Sequence, residues 1–225
     1  KAIFMFLKIK EIPTTLWSSA APLNFRPNFK TLFFLCFGLA TFGFGSSLLI
    51  HSNIGNSPWV VLAQGLSIQF GGTIGMWTFV CSLAVLLLWI PLKEKPGLGT
   101  LLNILIIASA LDLSLYFFDF SSTNWIVNII TALIGVIIVG LGSGIYLPAN
   151  LGPGPRDGLM TGLQRLTGYT IASVRSTMEI SVVIVGFILG GNAGIGTIIF
   201  AAGIGPAVAL GLYLADYISK SIIEK

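Results

Sequence analysis

Charge is scarce in this chain. Of its 225 residues only 9% are Asp, Glu, Lys or Arg, against roughly 25% in an average soluble domain. That is too few to cover a water-facing globular surface. Histidine occurs once, at His51, with no evident nucleophile or carboxylate beside it in sequence, which argues against acid–base or nucleophilic catalysis. No enzyme and no catalytic residue is expected. Cysteine occurs twice, at Cys36 and Cys81, each inside an apolar run; this excludes a disulfide framework or a cysteine metal site and leaves two packed thiols. No phosphate loop is present, since "GPGPRDG" lacks the G-x-G-x-x-G spacing and follows no strand. No cofactor, no metal and no nucleic-acid partner are expected. "AIFMFL" at the start is too short for a signal-peptide core.

Apolar length is abundant. The chain is 55% hydrophobic, with a mean hydropathy of +0.93. Runs such as "WTFVCSLAVLLLWIPL" and "WIVNIITALIGVIIVGLGSGIYL" point to a polytopic all-α membrane protein with the lipid bilayer as its first partner. Two helix-breaking stretches interrupt them: "NIGNSPW" from Asn53 and "NLGPGPRDGL" from Asn150.

These breakers are equivalent elements of an internal duplication. They start 97 residues apart, and the same gapless offset pairs Gly43 with Gly140, Ser46 with Ser143, Gly55 with Gly152, Pro58 with Pro155, Gly65 with Gly162, Thr73 with Thr170 and Asp119 with Asp216. "GLGT" at Gly97 meets "GIGT" at Gly194. Apolar matches between membrane helices are cheap; a shared register of Gly, Pro, Asn and Asp is not. The expected organisation is an N-terminal segment over 1–30, repeat 1 over 31–120 and repeat 2 over 121–225, the last with a short C-terminal tail.

Each repeat holds three full-length spans and one short segment. The spans are expected at 31–50, 73–92, 98–118, 124–147, 170–190 and 194–219, near the ~20 residues that cross ~30 Å of hydrocarbon. The short segments, 57–69 and 155–167, reach only ~20 Å as helices. Lys and Arg favour the cytoplasmic side. If both short segments are re-entrant half-helices, then Lys8, Lys10, Arg26, Lys30, Lys93, Lys95, Arg165 and Lys220 all lie on one side, and the opposite loops, "DFSSTN" and "GGNAG", carry none. Full crossings would move Lys93 and Lys95 outside. Three crossings per repeat make the repeats inverted, with both termini cytoplasmic. Inverted repeats with broken helices recur in transporters.

Ser57 with Pro58, and Gly154 with Pro155, read as helix starts, proline being suited to the first helical position. Both N-termini then point into the membrane with free N–H groups and positive dipole ends, a place for an anionic or carbonyl group. The alternative is that the breakers only let two hairpins pack closely. Intramembrane charge sharpens the choice. Arg156 and Asp157 open the second half-helix, and Arg175 and Glu179 share a face at i, i+4 on the next helix, with Glu179 about 13.5 Å deep. They form either a solute site or two self-neutralising pairs. Asp112, with Glu179, is a candidate proton or ion site. Trp59 stands where repeat 2 has Arg156. Asn53, Asn150 and Gln64 are candidate neutral contacts to solute, or interhelical hydrogen-bonding residues.

The stretches "GNSPWVVLAQGLS", "PGLGTLLN", "LGPGPRDGLMTGLQRLTGYTIASVRSTMEI" and "GNAGIGTIIFAAGIGP" resemble the YczE family of bacterial membrane proteins, distantly similar to the YitT group, over roughly residues 31–218. The resemblance implies a bacterial inner-membrane location and a fold, but no activity. It also implies an aspartate after the tryptophan of the first breaker, where this chain has Val60. Residues 1–30 alternate apolar and basic patches, as an interfacial helix and Pro-interrupted linker would, or a partner-docking segment. Two functions stay open: a transporter or channel for a small anionic or zwitterionic solute, or a non-transporting subunit of a larger membrane complex. A homo-oligomer fits either.

Overall fold

The computed structural model describes residues 12–223. Among these, all regular structure is helical: α1 (Phe29–Ser52), α2 (Pro58–Phe70), α3 (Ile74–Leu87), α4 (Trp89–Leu92), α5 (Leu98–Phe117), α6 (Trp125–Tyr146) with a 3₁₀ turn at Leu147–Ala149, α7 (Pro155–Thr167), α8 (Ile171–Ile188) and α9 (Ile195–Ile223). Six stretches are long and apolar enough to cross a membrane: Phe29–Ser52, Ile74–Leu92, Leu98–Phe117, Trp125–Ala149, Ile171–Ile188 and Ile195–Ile222. The chain is a multi-pass membrane protein, and its outward-facing phenylalanines, leucines and isoleucines contact lipid. The short helices α2 and α7 have 13 residues each.

The 97-residue register governs local structure. Thr73 and Thr170 cap α3 and α8 in the same way, each hydroxyl accepting the N–H three residues on, from Met76 at 3.1 Å and Ser173 at 3.2 Å. Asn53 and Asn150 both take φ +52°, ending α1 and the 3₁₀ turn, a left-handed conformation that asparagine tolerates better than most residues. Gly55 and Gly152 follow at φ +126° and +108°. Each breaker's backbone is bonded by the other repeat: the Gly99 N–H donates to the Leu151 carbonyl at 2.7 Å, and the Gly196 N–H to the Ile54 carbonyl at 2.8 Å. Gly99 and Gly196, like Ile54 and Leu151, are 97 residues apart. The Thr100 hydroxyl adds a bond to the Pro153 carbonyl at 2.7 Å. Irregular backbone at membrane depth needs such partners.

The centre of the molecule is the crossing of α1 and α6, which is reciprocal too. A Cβ on Gly38 would lie 2.8 Å from the Gly142 carbonyl oxygen, and one on Gly142 would lie 2.7 Å from the Gly38 oxygen. Gly45 and Gly135 repeat the relation, at 2.9 Å each way. Small residues let backbones meet this closely in lipid.

Charge separates along the bundle. Arg165 pairs with Glu94 at 2.9 Å and donates to the Leu92 carbonyl at 2.7 Å, placing the end of α7 beside the Lys93–Lys95 loop. At the other end His51 Nδ1 lies 3.7 Å from Asp119, whose carboxyl is held below the ordinary carboxylate range by the Ser121 hydroxyl and N–H.

Residues 12–28 are mostly exposed, but Thr15, Trp17 and Ser19 are buried and anchor them in the bundle. Trp17 is 4% exposed, stacks on Phe34 at 4.3 Å and donates its indole N–H to the Ile145 carbonyl at 3.1 Å. Ser18 bonds the Pro148 carbonyl at 2.6 Å, and the Leu16 N–H reaches the Ser219 hydroxyl at 2.8 Å. A buried tryptophan that satisfies its N–H ties the segment to α1, α6 and α9. The interfacial helix expected over the first residues lies outside the described residues.

Candidate functional site

The first turns of α2 and α7 open onto one cavity of about 220 Å³. Proline at the first helical position removes an N–H that no helix could use. The preceding residues, Ser57 and Gly154, are extended, at φ −63° and −60°, and neither start carries a side-chain cap. The start of α7 is clamped by Trp89, whose indole N–H donates to the Pro155 carbonyl at 2.9 Å and whose ring fills the space that Gly158 leaves.

The charged residues come entirely from repeat 2. Arg156, Asp157, Arg175 and Glu179 all line the cavity. Their equivalents 97 residues earlier are Trp59, Val60, Thr78 and Ser82. Val60 is buried at 4% exposure, while Trp59, Thr78 and Ser82 line the same cavity. The cavity thus has a charged half and a neutral half, closed by apolar residues such as Ile107 and Phe200.

Within the charged half the pairing is uneven. Arg175 Nε and Glu179 Oε1 pair at 3.0 Å, the side chains 54% and 31% exposed. The Asp157 carboxylate turns back over its own helix start, where a Cβ on Gly154 would sit 3.2 Å from Oδ2; an acidic residue at the third helical position commonly reaches back this way. Arg156 forms no ion pair with either carboxylate among the described residues. Its guanidinium carbon instead lies 5.0 Å from the centroid of the Trp59 ring, on the opposite breaker. A cation–π contact orients the fork without using its N–H donors.

Of the residues expected at the site, Ser57, Trp59, Gly154, Arg156, Asp157, Arg175 and Glu179 line the cavity; Asn53, Gln64, Asn150 and Asp112 do not. Asn53 accepts from the Asn192 amide at 3.2 Å, and Asn150 donates to the Ser19 carbonyl at 2.9 Å. Gln64 Oε1 accepts from the Asn56 amide at 2.7 Å and the Asn192 N–H at 2.8 Å, holding the first breaker to the loop before α9. Asp112 accepts from the Gly75 N–H at 2.7 Å and the Thr73 hydroxyl at 2.5 Å; both oxygens are engaged at the start of α3. The expectation did not include Thr78, Ser82, Asn103, Ser143 and Tyr146, which also line the cavity. The repeat register points to the first two: they are the counterparts of Arg175 and Glu179.

A family model described as "Family of unknown function (DUF6198)" matches residues 29–211. An uncharacterized protein of Haemophilus influenzae is 43% identical over 201 residues, covering 89% of this chain and 91% of the relative. The uncharacterized membrane protein YczE of Bacillus subtilis is 34% identical over 190 residues, covering 82% and 84%. The uncharacterized protein YyaS of the same organism is 30% identical over 167 residues, covering 72% and 82%. No solved structure matches.

Proposed function

We propose that this chain, which belongs to the YczE family of membrane proteins and to the family described as DUF6198, is a transporter or channel for a small anionic or zwitterionic solute. The solute binds between the N-termini of α2 and α7 and undergoes no covalent chemistry there. One observation carries the reading: the Arg156 guanidinium faces a cavity with no protein carboxylate within ion-pair distance of it among the described residues, and the re-entrant topology puts it at membrane depth. A charge in that setting is costly and marks a functional site by default. The start of α2, which carries no side-chain cap, adds N–H groups for the same oxyanion. Asp157, and Glu179 beside it, offer a place for an ammonium.

The transport architecture is two inverted repeats, each with three crossings and one re-entrant half-helix. Reciprocal bonds between equivalent residues support a two-fold relation. The loop around Leu92–Gly97 and its following turn touches both the second breaker and the end of α7. Residues Leu189 to Asn192 likewise touch Asn53 at the end of α1 and Gln69 at the end of α2. Each short helix therefore leaves on the side where its breaker entered. Taking the basic end as cytoplasmic places both termini inside, in a bacterial inner membrane. In a variant lacking Cys36 and Cys81, a cysteine placed at Lys93 is expected to resist an impermeant thiol reagent in intact cells and to react after permeabilisation. Labelling from outside would overturn this topology.

The function is tested on the purified full chain by thermal unfolding with inorganic phosphate, glycine and phosphoethanolamine. At least one is expected to raise the midpoint saturably, by an amount that follows ligand concentration over its dissociation constant. No shift with any of them at up to 50 mM, roughly a dissociation constant too weak to detect by this linkage, overturns the reading. A non-transporting subunit is the second reading, favoured by α8, the least buried of the six spans.

A further inference from the structure

The cavity is walled on one side and open on the other. α3 packs along α5 as well as against α2 and α7; among the described residues its equivalent α8 packs against α2 and α7 but makes no comparable contact with α9. Arg175 and Glu179 border this gap from α8, Ile204 and Val208 from α9. At about 1.5 Å per residue, Glu179 lies near mid-depth, and yet its pair with Arg175 is partly exposed. α9 also carries Pro206 in its interior, between the two apolar border residues. Proline cannot donate to the carbonyl four residues back and weakens the helix there. α5 has Ser109 at the equivalent position.

An exposed ion pair at that depth does not suit a lipid-facing surface. It suits a passage, and the two sides of this one differ: charge on α8, hydrocarbon on α9. The cavity's volume, about 220 Å³, is below the ~300–1,000 Å³ of pockets that swallow a whole drug-sized molecule. A headgroup fits; a large solute does not.

We infer that the cavity is entered sideways from the bilayer, between α8 and α9, and that its substrate is an amphiphile. A phosphate- or carboxylate-bearing headgroup sits against Arg156, any ammonium faces Asp157, and an apolar tail stays in the lipid along Ile204 and Val208. This rests on the binding reading above and adds the route and the tail. A partner helix across the gap is the competing occupant, but it would leave the cavity behind it empty and Arg156 without an acceptor.

The test compares a single-chain lysophosphatidylethanolamine with its soluble headgroup, glycerophosphoethanolamine, as stabilisers of the full chain in an uncharged maltoside detergent. The amphiphile is expected to act saturably at concentrations at least 100-fold lower. Arg156→Gln is expected to abolish both effects. Ile204→Trp, or Val208→Trp should the first not fold, is expected to weaken the amphiphile at least tenfold more than the headgroup. Equal potency of the two probes overturns lateral entry and leaves the binding site standing. Stabilisation of Arg156→Gln by the amphiphile as in the unaltered chain shows a detergent-like effect and overturns the inference. If both probes are inert while phosphate or glycine stabilises, the amphiphile alone falls; if every probe is inert, the binding reading falls with it. A stable oligomer inert to both probes overturns the inference in favour of the partner helix.

Discussion

Gly142→Leu is expected to cut the yield of folded protein and to lower its unfolding midpoint sharply. At this position a Cβ would lie 2.6 Å from the Phe42 nitrogen and 2.7 Å from the Gly38 carbonyl oxygen, both backbone atoms of α1. A flexible side chain could move aside; a helix backbone at the centre of the molecule cannot, because its own contacts fix it. The same crossing brings Gly45 against Gly135, so any widening that relieves one contact opens the other. Overpacking a core costs about 1–3 kcal/mol and sometimes more, and with backbone on both sides the upper end applies. That is a large share of a net stability of about 5–15 kcal/mol. The readout is the yield of monodisperse protein in detergent and its unfolding midpoint. Gly205→Ala is the control: it lies in α9, and a Cβ there meets nothing within 4 Å. It is expected to change stability by no more than about 1 kcal/mol, the restriction that Pro206 places on a Cβ at the preceding residue opposing the gain in helix propensity. A Gly142→Leu protein as stable as the unaltered chain would show that α1 and α6 do not meet this way.

The duplication explains why so much of the fold is legible in the sequence. Thr73 with Thr170, Pro58 with Pro155 and Asn53 with Asn150 are residues whose local chemistry starts or stops a helix, and the structure uses each pair identically. The six long spans follow from apolar length. The site is half legible. Intramembrane charge singles out Arg156, Asp157, Arg175 and Glu179, and the fold brings them to one cavity. Polarity near a breaker was a poorer guide: Asn53 and Asn150 are spent on left-handed turns and Gln64 on tying the breaker to the loop before α9. Asp112, a candidate proton or ion site by its apolar surroundings, has partners in Thr73 and Gly75 that lie at the start of another helix. Tyr146 and Asn103 had no local signal, since which face of an all-apolar helix turns inward depends on its neighbours. In the N-terminal segment the apolar and basic alternation gives no sign that Trp17 packs between α1 and α6, a contact that depends on residues far away in the chain.

Arg156→Gln is expected to leave the protein folded and to abolish its response to oxyanions. An arginine at membrane depth costs at least ~2.5 kcal/mol even on the gentler insertion scales. Trp59 occupies the equivalent position without charge, so the repeat architecture does not require that cost. Were Arg156 one half of a structural pair, removing it would strand a buried carboxylate, and breaking such a pair costs about 3–5 kcal/mol. The geometry argues otherwise. Glu179 is held by Arg175, Asp157 folds back over Gly154, and the guanidinium rests on Trp59. Glutamine keeps much of the volume and loses the planar fork. Each hydrogen bond to a charged group contributes about 1.5–3 kcal/mol, so losing a bidentate contact predicts an affinity at least ~100-fold lower. Arg156→Lys should keep part of it, because an ammonium supplies the charge without the fork. The unfolding midpoint without ligand is expected to stay within about 3 °C of the unaltered chain, a shift of roughly 1 kcal/mol at this size. Two results would reverse the assignment. The first is a strongly destabilised Arg156→Gln that recovers when Asp157→Asn is added, the behaviour of a structural pair. The second is a stable Arg156→Gln that still responds to the oxyanion with its original affinity, which would leave Arg156 outside the site.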